Sequence, residues 1–134
     1  MSLYLYSSHL GGTPPGGAFC LYMRRWILKH PWGSVRLHHI LRSDEGRAMH
    51  DHPFDFVSVL LSGGYTEHTP AGVKRWPRFS VVRKGAEDAH RLEVDRPVWT
   101  LVFGGKVRRE WGFVTPEGYL TRTQYEARFG EGVP

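Results

Sequence analysis

The 134-residue chain contains a single cysteine, Cys20. One thiol cannot build a disulfide framework within the chain, and it cannot supply a thiolate zinc site. A core position is the expectation for Cys20, and a reducing, cytoplasmic compartment the expectation for the protein. Long apolar runs are missing too. No stretch of about 18 apolar residues occurs, so no transmembrane helix is expected. The first 17 residues lack the basic region and apolar core of a secretory signal and read as a loop or arm. Lysine is scarce, with arginine supplying 14 of the 18 basic residues behind a net charge of +5. These arginines are scattered, with pairs only at Arg24-Arg25 and Arg108-Arg109. Scattered charge reads first as a solvated surface and, more sharply, as a site for an anionic small molecule. A nucleic-acid partner is not expected, and neither is a membrane.

Turn signals, in contrast, are plentiful. They recur at His30-Pro31-Trp32-Gly33, Ser62-Gly63-Gly64, Pro70-Ala71-Gly72, Asp95-Arg96-Pro97, Gly104-Gly105-Lys106 and Pro116-Glu117-Gly118. Between them lie short segments rich in β-branched, aromatic and leucine residues, the pattern of an all-β sandwich or barrel. Strands are expected near residues 19–29, 34–42, 54–61, 64–69, 79–83, 89–94, 97–103 and 107–114. A short C-terminal helix is expected at 122–129. Neither a repeat nor a linker is visible, so residues 1–134 are taken as one domain.

Side chains alternate between the two faces of a strand. In 34–42, Val35, Leu37, His39 and Leu41 share one face, and Ser34, Arg36, His38 and Arg42 the other. Two arginines belong in water, so His39 is expected to point inward. In 89–94 the same reasoning turns His90 inward with Leu92 and Val94. His50 and His52 sit two apart and share a face with Phe54 and Phe56, while Val57, Val59 and Leu61 suggest cover on the opposite face as well. Buried imidazoles must satisfy two ring nitrogens each, and a divalent metal does so for a cluster of them.

The chain resembles the cupin superfamily in two stretches. The first runs from Gly46 through His50-Asp51-His52-Pro53 to the turn at Gly63-Gly64, and the second is Lys84-Gly85-Ala86-Glu87-Asp88-Ala89-His90. It departs from the family pattern where Phe56 stands in place of a glutamate ligand and where Arg83 stands in place of a proline. The resemblance implies a cupin-type jelly-roll β-barrel holding one divalent transition metal (Fe, Zn, Ni or Mn) on His50, His52 and His90. A three-histidine site without glutamate is similar to that of thiol dioxygenases. The segment Arg42–Glu45 and the late Trp111-Gly112-Phe113 also resemble short cupins of phage and prophage genomes. Small cupins often form homodimers, and the apolar residues 3–6 are a candidate exchanged strand.

Several side chains remain open at this stage. His39 reads as a fourth ligand, a residue orienting a ligand, or plain core. Arg109, Trp111 and Phe113 share a strand face, where Arg109 would either bind a substrate carboxylate or phosphate or belong to a surface stripe. Asp51 is expected to face away from the ligands, Glu67 and His68 to occupy opposite faces of one strand, and Asp55 to be a ligand only if a bulge shifts parity. The expected activity is Fe(II)-dependent oxygenation of a small anionic substrate. A non-catalytic binding protein and a metal-independent sugar epimerase or isomerase using His50 or His90 with Asp51 or Asp88, and Tyr65, are the alternatives.

Overall fold

A computed structural model describes residues 4–12, 20–43 and 48–129. Twelve strands run β1 (Tyr4–Gly12), β2 (Cys20–His30), β3 (Gly33–Ile40), β4 (Met49–His50), β5 (Phe56–Ser62), β6 (Tyr65–Thr69), β7 (Gly72–Trp76), β8 (Val81–Lys84), β9 (Arg91–Glu93), β10 (Val98–Gly104), β11 (Gly112–Thr115) and β12 (Gly118–Thr121). One helix follows, α1 (Arg122–Phe129). It is not long or apolar enough to cross a membrane. The strands form a six-stranded sheet ordered β1-β2-β3-β10-β5-β8 and two three-stranded sheets, β12-β11-β4 and β7-β6-β9.

The expected strands are present with ends shifted by a few residues, and the differences have local causes. Residues 4–12 are not a loose arm: β1 pairs antiparallel with β2 from Tyr4↔Lys29 to Gly12↔Cys20. That pairing lies within the chain, and Leu3, the first residue of the candidate exchanged strand, lies outside the described residues. The expected strand at 107–114 begins only at Gly112, because Arg108 and Arg109 turn both backbone N–H groups to the Pro53 carbonyl. β7 and β12 escape sequence reading because β7 is a charged edge hairpin strand and β12 is four residues long.

The helix starts where a capping box places it. Thr121 Oγ1 accepts from the Gln124 N–H at 3.3 Å, and the Gln124 side chain accepts from the Thr121 N–H at 2.9 Å. Tyr125 then stacks on Phe113 with ring centroids 3.9 Å apart, which docks the helix on β11.

The core joins the large sheet to the β7-β6-β9 sheet. Met23, Ile40, Leu60, Val82 and Val98 come from the first, Tyr65 and Leu92 from the second, with Trp76 and Val94 at the margin. Burying each such side chain contributes roughly 1.5–3 kcal/mol. The inner face of the large sheet is nonetheless polar in part. Its cross-strand rows read Arg25–His38–Thr100–Leu60 and Ile27–Arg36–Val102–Ser58–Val82. Parity in β3 is therefore opposite to the sequence expectation: Ser34 and Ile40 are buried, and Arg36 lies 4.5 Å over the Phe54 ring. His38 points inward and His39 outward. The guanidinium of Arg36 is accommodated by Phe54 and Ser34, which the assumption that arginines face water could not anticipate.

Candidate metal centre

The His50–Pro53 segment is held by β11 and by the backbone of Ala86 and His90. His50 and His90 face each other as an antiparallel bridge and exchange both backbone hydrogen bonds at 2.9 Å. His52 N–H donates to the Ala86 carbonyl at 2.9 Å, and Asp51 N–H to the Gly112 carbonyl at 3.0 Å. Alternation then sends the His50 and His52 rings to one side and Asp51 to the other. The imidazole centroids of His50, His52 and His90 lie 5.1, 5.0 and 4.8 Å apart. One nitrogen from each ring falls within 4.8 Å of the others. Ligand nitrogens at about 2.1 Å around a tetrahedral ion are separated by roughly 3.4 Å, so rotation of the rings by about an ångström closes the set.

Asp51 anchors the segment from behind. Only 4% exposed, it pairs with Arg109 at 2.7 Å and accepts from the Gly112 N–H at 2.7 Å and the Tyr119 hydroxyl at 3.2 Å. Arg109 also donates to the carbonyls of His52 at 3.2 Å and Ala86 at 3.3 Å. Arg109, which the sequence left as either a substrate-binding residue or part of a surface stripe, is thus a clasp on the ligand segment. Trp111 sits 6.3 Å from the His50 ring and packs on Phe113 at 5.5 Å. Phe56 points inward as expected, edge-on to His52 at 4.6 Å.

His39 is not part of this group. It stacks flat on Trp99 at 4.0 Å on the outer face of the large sheet. Its neighbour His38 points inward instead, with Nε2 buried and without a hydrogen-bond partner among the described residues. Burial, and then the charges of Arg25 and Arg36, push its pKa down to about 3. Asp55 faces outward, accepts from Arg108 at 2.7 Å and caps the Ala86 N–H, and so is not a ligand. The side chain of Cys20, and residues 44–47 with Gly46 among them, fall outside the described residues.

The most strongly constrained residue is one that the sequence left open between opposite strand faces with His68. Glu67, 2% exposed, accepts from His90 Nδ1 at 2.7 Å, Lys84 Nζ at 2.9 Å and Trp76 Nε1 at 3.2 Å. Burial alone would raise its pKa, but the hydrogen bonds from His90 and Lys84 prevail and hold the carboxyl at about 2. The signal was present: on β6, Tyr65 and Glu67 share a parity, and a buried Tyr65 carries Glu67 inward with it.

The residues fit a metal. Glu67 occupies Nδ1 of His90 and leaves Nε2, the carboxylate–histidine arrangement that fixes tautomer and orientation of a ligand. His52 Nδ1 is buried without a hydrogen-bond partner among the described residues. Burial, then the neighbouring His90 and Lys84, hold the His52 pKa well below its ordinary value, so its lone pair is free of a proton. An orphaned nitrogen within a cluster of three rings is a group that an ion satisfies.

No protein-family model matches the chain, and no curated protein matches it by sequence. Solved structures do. A cupin 2 conserved barrel domain protein from Rhodopseudomonas palustris superposes with a TM-score of 0.64 at 10% identity, over 85% of this chain and 80% of its own. This chain has the cupin fold. A second cupin-2 domain, from Rhodospirillum rubrum, agrees at TM-score 0.60 and 14% identity, covering 84% of this chain and 78% of its own length. The FeII form of HppE is similar at TM-score 0.54 and 11% identity over 73% of this chain, which spans 56% of HppE.

Proposed function

We propose that this cupin binds one divalent transition metal through His50, His52 and His90 and acts as an Fe(II)-dependent oxygenase on a small anionic substrate. The observation that carries the reading is the convergence of three imidazoles with a carboxylate, Glu67, behind one of them. The likeness to the FeII form of HppE supports iron among the candidate metals Fe, Zn, Ni and Mn. An iron(II) ion so held would supply redox chemistry and open coordination positions for a chelating substrate.

The chain's own residues set what can bind beside it. Three neutral donors leave the charge of a dication uncompensated by its own ligands, because Phe56 rather than a carboxylate flanks His52. Arg25 and Arg36 on the inner face of the large sheet add positive charge on the same side, while the charge of Lys84 is balanced by Glu67. That field favours a carboxylate or phosphate ligand. Phe56 and Trp111 supply apolar walls next to His52 and His50, which limit water around a bound ligand.

The test is metal analysis of protein purified without a metal-affinity step, followed by anaerobic Fe(II) loading and O₂-uptake assays on small thiols and organic acids. Near-stoichiometric metal that disappears in a His50→Ala, His52→Ala double variant, with substrate-dependent uptake, supports the proposal. Protein that neither carries nor takes up metal would sink it. Metal binding without uptake across the panel would remove the oxygenase assignment and leave a metal-dependent binding protein.

A further inference from the structure

A cavity of about 350 Å³ opens beside the turn that joins β2 to β3. That turn forms one wall, and the segment after β10 forms the other. The two meet closely because residue 33 is glycine: a Cβ there would lie 2.1 Å from the Gly104 carbonyl oxygen, at a φ of +151°. The volume falls in the lower part of the range of small-molecule sites, about 300–1,000 Å³. Charge in the cavity is one-sided. Lys29, His30, Arg36 and Lys106 line it, and no carboxylate among the described residues does. Arg36 is held in one place: its Nε donates to Ser34 Oγ at 3.0 Å, and its guanidinium lies 4.5 Å over the Phe54 ring. Ser34, itself 5% exposed, keeps a hydroxyl proton to donate in turn. His30 Nδ1 accepts from the Trp32 N–H at 3.1 Å, which makes Nε2 the donor nitrogen of the neutral ring.

We propose that this cavity binds a small phosphate monoester, at a site separate from the metal centre. Its positive lining selects an anion, and the number of donors selects among anions. A phosphate monoester carries a charge of about −1.5 to −2 at pH 7 and several strong acceptor oxygens. Three cationic side chains, with the donors of Ser34 and His30, match that demand, whereas a carboxylate offers a single charge and two oxygens. A guanidinium already fixed by a ring and a hydroxyl loses less freedom when it binds than a mobile side chain does. Pro31 and Val107, the latter 67% exposed, give the ester substituent an apolar rim to lie against.

The separation from the metal centre rests on two aromatic rings. None of His50, His52 and His90 lines the cavity. Phe54 forms part of its wall and is 6% exposed. Phe56 follows at a centroid distance of 6.3 Å from Phe54 and meets His52 edge-on at 4.6 Å. Contact from the cavity to the nearest ring of that chain of aromatics thus passes through Phe54 and Phe56 before it reaches a ligand histidine. Occupancy of the cavity therefore does not require a metal, and the proposal stands apart from the oxygenase reading.

Calorimetric titration of the full chain, stripped of metal by chelator and then desalted, tests it with phenyl phosphate and inorganic phosphate as probes. Salt at about 0.1 M screens exposed charges more than about 10 Å away, so binding there reports the cavity and not the net charge. Phenyl phosphate should bind with a Kd of about 1 mM or tighter, and inorganic phosphate several-fold more weakly. The Lys29→Gln, Lys106→Gln double variant should weaken phenyl phosphate by about tenfold or more. Lys74→Gln, which removes one charge from β7 on another sheet, should leave it unchanged. Because Lys29 sits within β2 and its replacement could disturb the strand, amide NMR of the wild-type protein gives a second reading. Phenyl phosphate should shift the amides of Gly33, Gly105 and Lys106 and leave Gly112, beside the metal segment, unmoved. No binding to wild type, or binding indifferent to the double variant, would overturn the proposal. Shifts centred on Gly112 would overturn it as well, and inorganic phosphate binding as tightly as the ester would overturn the monoester assignment.

Discussion

Replacing Glu67 by Gln separates a carboxylate that tunes a metal ligand from one that only fills space. Glu67 receives hydrogen bonds from His90 Nδ1 at 2.7 Å and Lys84 Nζ at 2.9 Å, and both contacts lie in the interior. Gln keeps the volume and one acceptor oxygen but loses the negative charge, and its amide must confront either His90 or Lys84 with Trp76. Partners of this kind behind a ligating histidine alter metal affinity by about 10–100-fold, or about 1.4–2.7 kcal/mol. Lys84, with its side chain 14% exposed, would lose its counter-charge. Removing one partner of a buried pair costs up to about 3–5 kcal/mol, and the retained oxygen should hold the loss nearer 2 kcal/mol. The assay is chelator competition with Zn(II), with Co(II) absorption reporting ligand geometry, beside thermal unfolding with and without metal. Weaker binding with an altered Co(II) spectrum is expected. Zn(II) affinity within twofold of wild type and an unchanged spectrum, even with a lowered Tm, would refute the positioning role.

Acidification should destabilise the metal-free protein in two windows. His38, at about 3 when folded against an ordinary 6.5, takes its proton first in the unfolded chain, so stability falls as pH drops from 6.5 toward 3. Glu67, at about 2 against 4.5, contributes stability that is complete above pH 4.5 and is lost as pH falls toward 2. Urea midpoints at pH 7, 5 and 4 check both, and a midpoint that does not move between pH 7 and 5 would contradict the neutral, buried His38. Phe56→Glu puts a carboxylate beside His52, where the Phe56 ring now sits 4.6 Å away. Its buried charge should leave the protein less stable in chelator and more stabilised by added metal than wild type, read as a wider gap in Tm. Gly33→Ala should cost about 2–4 kcal/mol, since an added Cβ would lie 2.1 Å from the Gly104 carbonyl oxygen at a φ of +151°; a Tm within a degree of wild type would show that the β2–β3 turn relaxes freely.

The His50, His52 and His90 cluster was legible because strand alternation and the two cupin-like stretches pointed to the same side chains. His50 and His52 share a parity, and the bridge to His90 closes the set. Phe56 was placed correctly by the same parity. The error at His39 has one cause: arginines were assigned to water, while this sheet turns Arg25 and Arg36 inward and Trp26, Leu37 and Leu101 outward. The warning lay in β5, where Val57, Val59 and Leu61 made both faces look apolar. Glu67 was legible only through Tyr65. The clasp between Asp51 and Arg109 was not, because it spans residues distant in sequence and Arg109 lies in a segment that looks like strand without being one.

The reciprocal backbone bonds between His50 and His90, both 2.9 Å, act as a fixed ruler between two of the three rings. Their separation belongs to the ladder and not to any loop, and Glu67 pins one of the two imidazoles from behind. The third ring hangs from a segment held by His52 N–H on Ala86 and by Arg109 on the His52 carbonyl, with only an aromatic edge at its side. An ion of larger or smaller radius would then be accommodated by rotation of the His50 and His52 rings, with His90 held by Glu67. The fit of any ion to this site would accordingly be written in the freedom of those two side chains, and the Phe56 ring, edge-on to His52 at 4.6 Å, bounds the travel of one of them.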